Sequence, residues 1–286
     1  TCPAITLLIP AYNEAAVIAR TLAPLAGGAA AGRLQVIVVA NGCHDATAEI
    51  ARAACPAAEV LETAVASKTH ALNLGAPLAR GRAVICLDAD LVLPAAAVEA
   101  LAAPLLDGRA DVATGRMLAD TTRATALVRA FYRGWQLNPY FDGGKFGGVY
   151  ALSAAAARAL FPIAEVVADD EFVARQSAGL RRASVPSAAF TVTAPATLAD
   201  LIRIRRRSRR GTAALEGAGL TGARKGSGAN FTQVLRRAAL RPARWADVAV
   251  YAGVILWVRA GLRLNPPGRA AAWERDTSSR QPAPCA

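Results

Sequence analysis

Val84-Ile85-Cys86-Leu87-Asp88-Ala89-Asp90 sets four apolar residues of strand type directly before two carboxylates one residue apart. Side chains two apart on a strand share a face, so both carboxylates are expected to converge on one hard cation at the strand's end. A divalent ion held there could carry a diphosphate. Two acids abutting an apolar strand repel each other unless a cation or donors offset them, which favours a metal over a plain acidic turn. The sequence places neither His44 nor His70 as a third ligand, so phosphate oxygens and water are expected to complete a magnesium or manganese shell.

Residues 6–9 and 34–39 are two more β-favouring runs, and Ala-rich stretches of helical length separate the three. Strand and helix in alternation predict an α/β fold, a mostly parallel sheet with helices on both faces. The spacing predicts helices over 14–25, stopped by Gly27-Gly28, over 46–54 and 69–79, and from Pro94, with a weaker strand at 59–61. Beyond 110 the pattern mixes, with strands at 112–117 and 147–152 and helices at 123–136, 154–160 and after Asp170. A long basic helix is expected over 198–216. The glycine-rich stretch 220–230 reads as a loop and 281–286 as a disordered end. Residues 245–264 are strongly apolar but include Asp247, Arg259 and Arg263, and their longest uncharged run, 248–258, is 11 residues. A membrane span needs about 20, so a helix lying on a membrane or packed on the domain is expected instead.

A chain of 286 residues can bury a full core in one large domain with an appendage. Hydrophobic residues reach 54% with only 6% aromatics, which marks a globular chain rich in small side chains rather than a disordered one. The net charge of +12 is unevenly spread: residues 1–200 carry 16 basic and 17 acidic side chains, residues 201–286 carry 17 and 4. The basic excess implies a polyanionic partner, such as a diphosphate or an anionic membrane surface, or else a solvated basic tail. The cysteines, five in number and without metal-binding spacing, point to a reducing, cytoplasmic setting. No secretory signal opens the sequence, and with Thr1 first a short preceding piece is expected.

Pro10-Ala11-Tyr12-Asn13-Glu14 follows the first strand at its carboxyl end, where open α/β sheets place ligands. Tyr12 can stack on a nucleobase, and Asn13 and Glu14 can bond a base edge or ribose hydroxyls. The same residues also suit an ordinary turn with Asn13 as helix cap. Asn41-Gly42-Cys43-His44-Asp45 ends the second strand. Asn41 is a candidate reader of a base edge, and Asp45 is expected to cap the next helix. Lys68 is one of 3 lysines against 30 arginines, which suggests a compact phosphate or ribose contact, with a surface lysine as the alternative. Asp169-Asp170-Glu171 places three acids at a helix start, where mutual repulsion can raise one pKa into the range of a general base. Asp169 is also a candidate helix cap.

Arg203, Arg205, Arg206, Arg207, Arg209 and Arg210 put six guanidiniums within eight residues. They cannot share one helix face, so some are expected in solvent or against lipid and others in the site, where one or two would neutralise a leaving diphosphate. Without interleaved aromatics the cluster does not suit nucleic acid.

Taken in order, Pro10-Ala11-Tyr12-Asn13-Glu14, Asn41-Gly42-Cys43-His44-Asp45, Lys68, Asp88-Ala89-Asp90, Gly147-Gly148, Asp169-Asp170 and residues 205–211 resemble the successive motifs of family 2 glycosyltransferases of the GT-A fold. The match spans about residues 4–215. The resemblance implies an inverting, metal-dependent enzyme using a nucleoside diphosphate sugar, commonly a UDP-sugar. It implies that Asp90 holds Mn2+ or Mg2+, that Asp88 assists through the ribose or the metal's waters, and that Asp170 is the catalytic base beside Asp169. Gly147-Gly148 corresponds to the small-residue turn beside donor sugar and acceptor. The chain departs from the pattern at Ala40-Asn41, where relatives often carry two acids, so the carboxylate that would read a uracil imide is an amide. In place of the Gln-x-x-Arg-Trp motif of processive synthases stand Ile204, Arg207 and Ser208. Together with the lack of long membrane segments, this argues for transfer of a single sugar.

The expected organisation is therefore a GT-A domain over 1–215, with Arg207 assisting the diphosphate, and a basic helical extension over 216–286 that closes over the donor or rests on a membrane. The acceptor is a hydroxyl on a lipid carrier, a polysaccharide or a small metabolite. A sugar-phosphate nucleotidyltransferase shares sheet, metal and sugar phosphate, but would need a Gly-rich basic loop after the first strand, which Pro10-Ala11-Tyr12-Asn13-Glu14 is not. A non-catalytic sugar-nucleotide or membrane-surface binding protein is the third alternative, and the presence of both Asp90 and Asp170 counts against it.

Overall fold

A computed structural model describes residues 3–142, 146–217, 219 and 227–264. Seven strands form one sheet: β1 (Ile5–Ala11), β2 (Leu34–Asn41), β3 (Glu59–Thr63), β4 (Ala83–Leu87), β5 (Val112–Asp120), β6 (Val149–Ser153) and β7 (Arg182–Thr193), in the order β3-β2-β1-β4-β6-β5-β7. β1 pairs in parallel with β2 and β4, and β2 with β3, while β6 runs antiparallel to both β4 and β5. β5 and β7 run alike, since Val112 N–H meets Arg181 O where they begin and Ala194 N–H meets Asp120 O where they end. Every residue of β1 and β4 is buried, as expected of central parallel strands covered on both faces.

The helices are α1 (Ile18–Ala30), α2 (Thr47–Ala54), α3 (Lys68–Gly75), α4 (Ala95–Leu106), α5 (Ala126–Trp135), α6 (Ala154–Leu160), α7 (Asp169–Gln176), α8 (Leu198–Gly217), α9 (Ser227–Ala239) and α10 (Trp245–Leu264). Because β4 returns beside β1 on the side away from β2, the strand order reverses there and opens a crevice at the carboxyl ends of β1, β2 and β4.

The structure corrects several boundaries. α1 begins at Ile18 rather than Glu14 and runs through Gly27-Gly28, because Gly28 lets the helix approach Leu34: an added Cβ would lie 2.7 Å from Leu34 Cδ1. The residue that ends the turn is Gly32, at φ +66°, a left-handed conformation that a Cβ disfavours. Residues 227–230 of the expected glycine-rich loop belong to α9, while 220–226 and the expected disordered end 281–286 lie outside the described residues. β7 was not expected, since Pro186 interrupts its β pattern. It is the last strand in the order, an edge position where a missing N–H is tolerated.

Among the described residues, 3–118 and 146–192 form one compact unit, and 119–142 with 193–264 a second. The first carries the sheet crevice. In the second, α10 buries Asp247, Val248, Tyr251, Val254 and Val258, a helical stripe, and packs on α5. Phe131 and Tyr251 bring their ring centroids to 5.5 Å, and Gly134 admits the α10 backbone, since its Cβ would fall 2.5 Å from Asp247 O. Arg133 donates to both carboxylate oxygens of Asp247, at 2.9 and 2.6 Å. α10 is thus packed on protein along one face. Segment Pro242–Leu264 is nonetheless long and apolar enough to cross a membrane by length and composition, which the count of uncharged residues did not capture.

Candidate active site

The loops after β1 and β2 are bonded to each other across the top of the sheet. Asn13 sits at φ +50° and its Oδ1 accepts from His44 N–H at 2.7 Å, so it is a loop clasp and not the helix cap. Glu14 N–H donates to Thr47 Oγ1 at 2.7 Å, and Cys43 Sγ donates to Ala11 O at 3.3 Å. Asp45 receives Thr47 N–H and Ala15 N–H and joins the two loops, but it is not the expected cap of α2, whose cap position is Ala46. Pro10, Ala11, Glu14 and Asn41 are buried, while Tyr12 and Asn13 are half-buried at the rim.

β4 stops at Leu87, so Asp88, Ala89 and Asp90 lie in the turn beyond the strand and not on it. The shared-face argument for the acid pair is therefore replaced by turn geometry. Leu91 N–H bonds Asp88 O at 3.2 Å, Asp88 N–H bonds Gly148 O at 2.8 Å, and Thr21 Oγ1 donates to Ala89 O at 2.7 Å. Arg20 reaches Asp90 O at 3.5 Å. Thr21 and Arg20 carried no sequence signal, because their partners lie about seventy residues away.

Lys68, the first residue of α3, is the hub. Its Nζ lies 2.7 Å from Asp88 Oδ1 and 2.9 Å from Asp169 Oδ1, and its side chain is only 22% exposed, so it is not a surface lysine. Burial alone would lower its pKa, but Asp169, Asp88 and Asp170 outweigh that and hold the ammonium well above the ordinary lysine range. Asp169, at the first position of α7, is buried, and its Oδ2 has no hydrogen-bond partner. Burial raises its pKa to about 6, against the pull of Lys68 and with the help of Asp170 and Asp88. The sequence left open which acid would be raised. Asp169 is raised, and the cause is first burial and only then repulsion.

Asp169 does not cap α7, whose cap position is Ala168. Glu171 is engaged by Arg175 at 2.9 Å. Asp170 is half-buried and its Oδ1 accepts from Glu171 N–H at 2.8 Å.

Gly148, at φ +78°, closes the site on the β6 side. A Cβ there would come 2.5 Å from Leu91 Cδ1 and 2.9 Å from Asp88 Oδ2, so its missing side chain keeps the space beside the Asp88 carboxylate open. Gly147 beside it is half-buried. Under the acids, Cys86 of β4 stands opposite Tyr150 of β6. Burial, reinforced by Asp169 and Asp88, pushes the Cys86 thiol up to about 12, and burial drives the Tyr150 hydroxyl well above its ordinary value. Both stay neutral, and neither was singled out from sequence, where they read as strand filler.

The donors suit a hard divalent cation: two carboxylates in one turn, with a glycine guarding the space beside Asp88 Oδ2. Among the described residues no group of three or more His, Cys, Asp and Glu side chains could hold a metal by itself. Arg207 lies on α8, in the second unit.

The family model for glycosyl transferase family 2 matches residues 6–152. A search of curated proteins finds no match. Among solved structures, the mannosyltransferase PcManGT from Pyrobaculum calidifontis, in complex with GDP-Man and Mn2+, is similar with a TM-score of 0.56 at 20% identity, over 91% of this chain and 76% of that one. Glucosyl-3-phosphoglycerate synthase from Mycobacterium tuberculosis, with Mn2+, UDP-glucose and phosphoglyceric acid, gives 0.54 at 20% identity over 77% and 82%. The same synthase with Mg2+ and UDP gives 0.52. With the family model covering more than half of the sequence on this sheet, the protein belongs to glycosyl transferase family 2 and is a glycosyltransferase.

Proposed function

We propose that this glycosyltransferase moves one sugar from a nucleoside diphosphate sugar, of the UDP type, to an acceptor hydroxyl with inversion and without processive extension. The observation that carries the reading is Lys68, whose ammonium bridges Asp88, beside the proposed metal site, and Asp169, beside the proposed base. One cation thereby links the donor end of β4 to the start of α7. Family membership sets aside the nucleotidyltransferase and the non-catalytic binder.

Pro10, Ala11, Tyr12, Asn13, Glu14 and Asn41 shape the nucleoside site, with Tyr12 and Asn13 at its rim. Asp90, with Asp88, would hold Mn2+ or Mg2+, and Ala89 would meet the donor through its backbone. When bound, the cation supplies positive charge to the diphosphate. Similar structures contain Mn2+ or Mg2+ with nucleotides carrying either of two bases, GDP-Man in one and UDP in others, so the UDP assignment rests on the family pattern alone. Asp170 accepts the proton of the acceptor hydroxyl while that oxygen forms its bond to the anomeric carbon. The bond from that carbon to the diphosphate breaks from the opposite side, and the nucleoside diphosphate leaves, its charge met by Lys68. Gly147 and Gly148 leave room for the donor sugar and acceptor. Asp169, buried on Lys68, positions rather than transfers.

Ile204 and Ser208 in place of the chain-gripping Gln and Trp support single transfer. Free Cys43, Cys55 and Cys86 accord with a cytoplasmic setting. The test is nucleoside diphosphate release from UDP-, GDP- and ADP-sugars with Mn2+ and a panel of hydroxyl acceptors. UDP release with an inverted product is expected. Release of GDP alone would move the donor assignment, and release from none of them would remove the reading.

A further inference from the structure

Helix α8 sorts its arginines by face. Arg205 turns to α5, with its guanidinium carbon 3.8 Å from the Trp135 ring centroid and 4.9 Å from that of Phe131. Arg203, Arg206 and Arg210 recur at intervals of three and four, so they share another face of the helix. With Ala199 and Ile202 they line an open groove of about 470 Å³, which Trp257 of α10 completes. Arg203 is exposed and pairs with Asp200 at 2.6 Å. Arg206 lies over α10, where Gly261 leaves it room, since a Cβ there would come 2.9 Å from its Nη2. The Nε of Arg206 is buried without a hydrogen-bond partner.

The helix that completes the groove exposes side chains that water does not favour. Trp257 is 63% exposed and Leu256 60%, and Leu264 at the helix end is 81% exposed. The other stripe of α10 is occupied by its packing on α5. Guanidinium forks match phosphate oxygens, whereas an exposed indole and leucines match the boundary between headgroups and acyl chains. A soluble anion would use the first group and leave the second unexplained. A single-stranded nucleic acid would need several stacking rings in series, and the groove offers one.

We propose that the groove between α8 and α10 binds the phosphate headgroups of anionic membrane lipids and docks the protein peripherally on an anionic bilayer. The residues that line this groove are not among the donor residues proposed above, and the proposal does not rest on the choice of donor.

The experiment sediments the full chain with vesicles of phosphatidylcholine, with and without phosphatidylglycerol, at two salt concentrations. Binding is expected to the anionic vesicles only, weakened by salt. Arg203→Glu should reduce it about fivefold or more, the scale for a basic residue at an anionic surface. Trp257→Ser, at an exposed position where folding is not at stake, should reduce it as well, while Arg109→Glu, an exposed arginine of the first unit, should not. Equal binding to neutral vesicles, no binding to anionic ones, or full binding by both groove variants with unchanged melting would overturn the proposal. So would complete competition by millimolar inorganic phosphate, which would make the groove a site for soluble anions, or retention through an alkaline carbonate wash, which would make α10 a membrane span.

Discussion

Lys68 and Asp169 form an ion pair in which the two partners answer burial differently. The lysine stays charged at neutral pH because three carboxylates surround it, while Asp169 has its pKa raised to about 6 by its buried position. An acid whose folded pKa lies above its unfolded value, near 3.9, binds more protons when folded, so stability falls as pH rises from about 4 to about 6, by up to roughly 3 kcal/mol. Urea unfolding across that window should show this loss in the parent and not in Asp169→Asn. Parallel profiles would remove Asp169 as the cause. The base assignment is tested one residue on: Asp170→Asn should lower transfer by about 100- to 10,000-fold with an unchanged melting temperature. Near-normal turnover in a folded variant would send the role elsewhere. Both acids were visible in the sequence as candidates. Which one is buried against Lys68 was not, because that depends on α3, β4 and α7 meeting across about a hundred residues of chain.

At the scale of elements, buried polar contacts decide what the hydrophobic pattern leaves open. The apolar stripe of α10 specifies that one face is covered, but Asp247 fixes the register on α5 through Arg133, with Arg244 adding a bond at 3.2 Å. Arg133, opposed by some desolvation and aided by Arg244, holds the Asp247 carboxyl below the usual range. Its contribution to stability is therefore present above about pH 4 and lost as pH falls, the reverse of Asp169. Asp247→Asn should cost about 1.5–3 kcal/mol at pH 7, the scale of hydrogen bonds to charged groups, and much less at pH 3. A cost equal at both pH values would show that packing, not charge, is lost. β7 was illegible for a related reason. Its alternation is weak and Pro186 breaks it, and only pairing with β5 makes it a strand.

At the scale of the whole molecule, the two carboxylates at Asp88 and Asp90 lack enough protein partners among the described residues to hold a metal tightly by themselves. Mn2+ alone should therefore shift the melting temperature little, whereas UDP with Mn2+ should stabilise by about 2.7 kcal/mol at a hundred times its Kd. Equal shifts from metal alone would mean that a ligand set lies elsewhere in the chain. The sequence by itself determined the alternation that winds a parallel sheet, the strand ends at which ligands collect, and the ordered acids and lysine that mark a glycosyltransferase. These are local properties, carried by periodicity and by neighbours in the chain. Only the tertiary structure decided that the acid pair sits in a turn held by Thr21 and Gly148, that Lys68 spans Asp88 and Asp169, and that the α8 arginines divide between an aromatic cluster and an open groove. Each of those outcomes depends on which distant side chain arrives within about 3–5 Å, the range over which hydrogen bonds, charge and burial act, and chain position alone does not fix that distance.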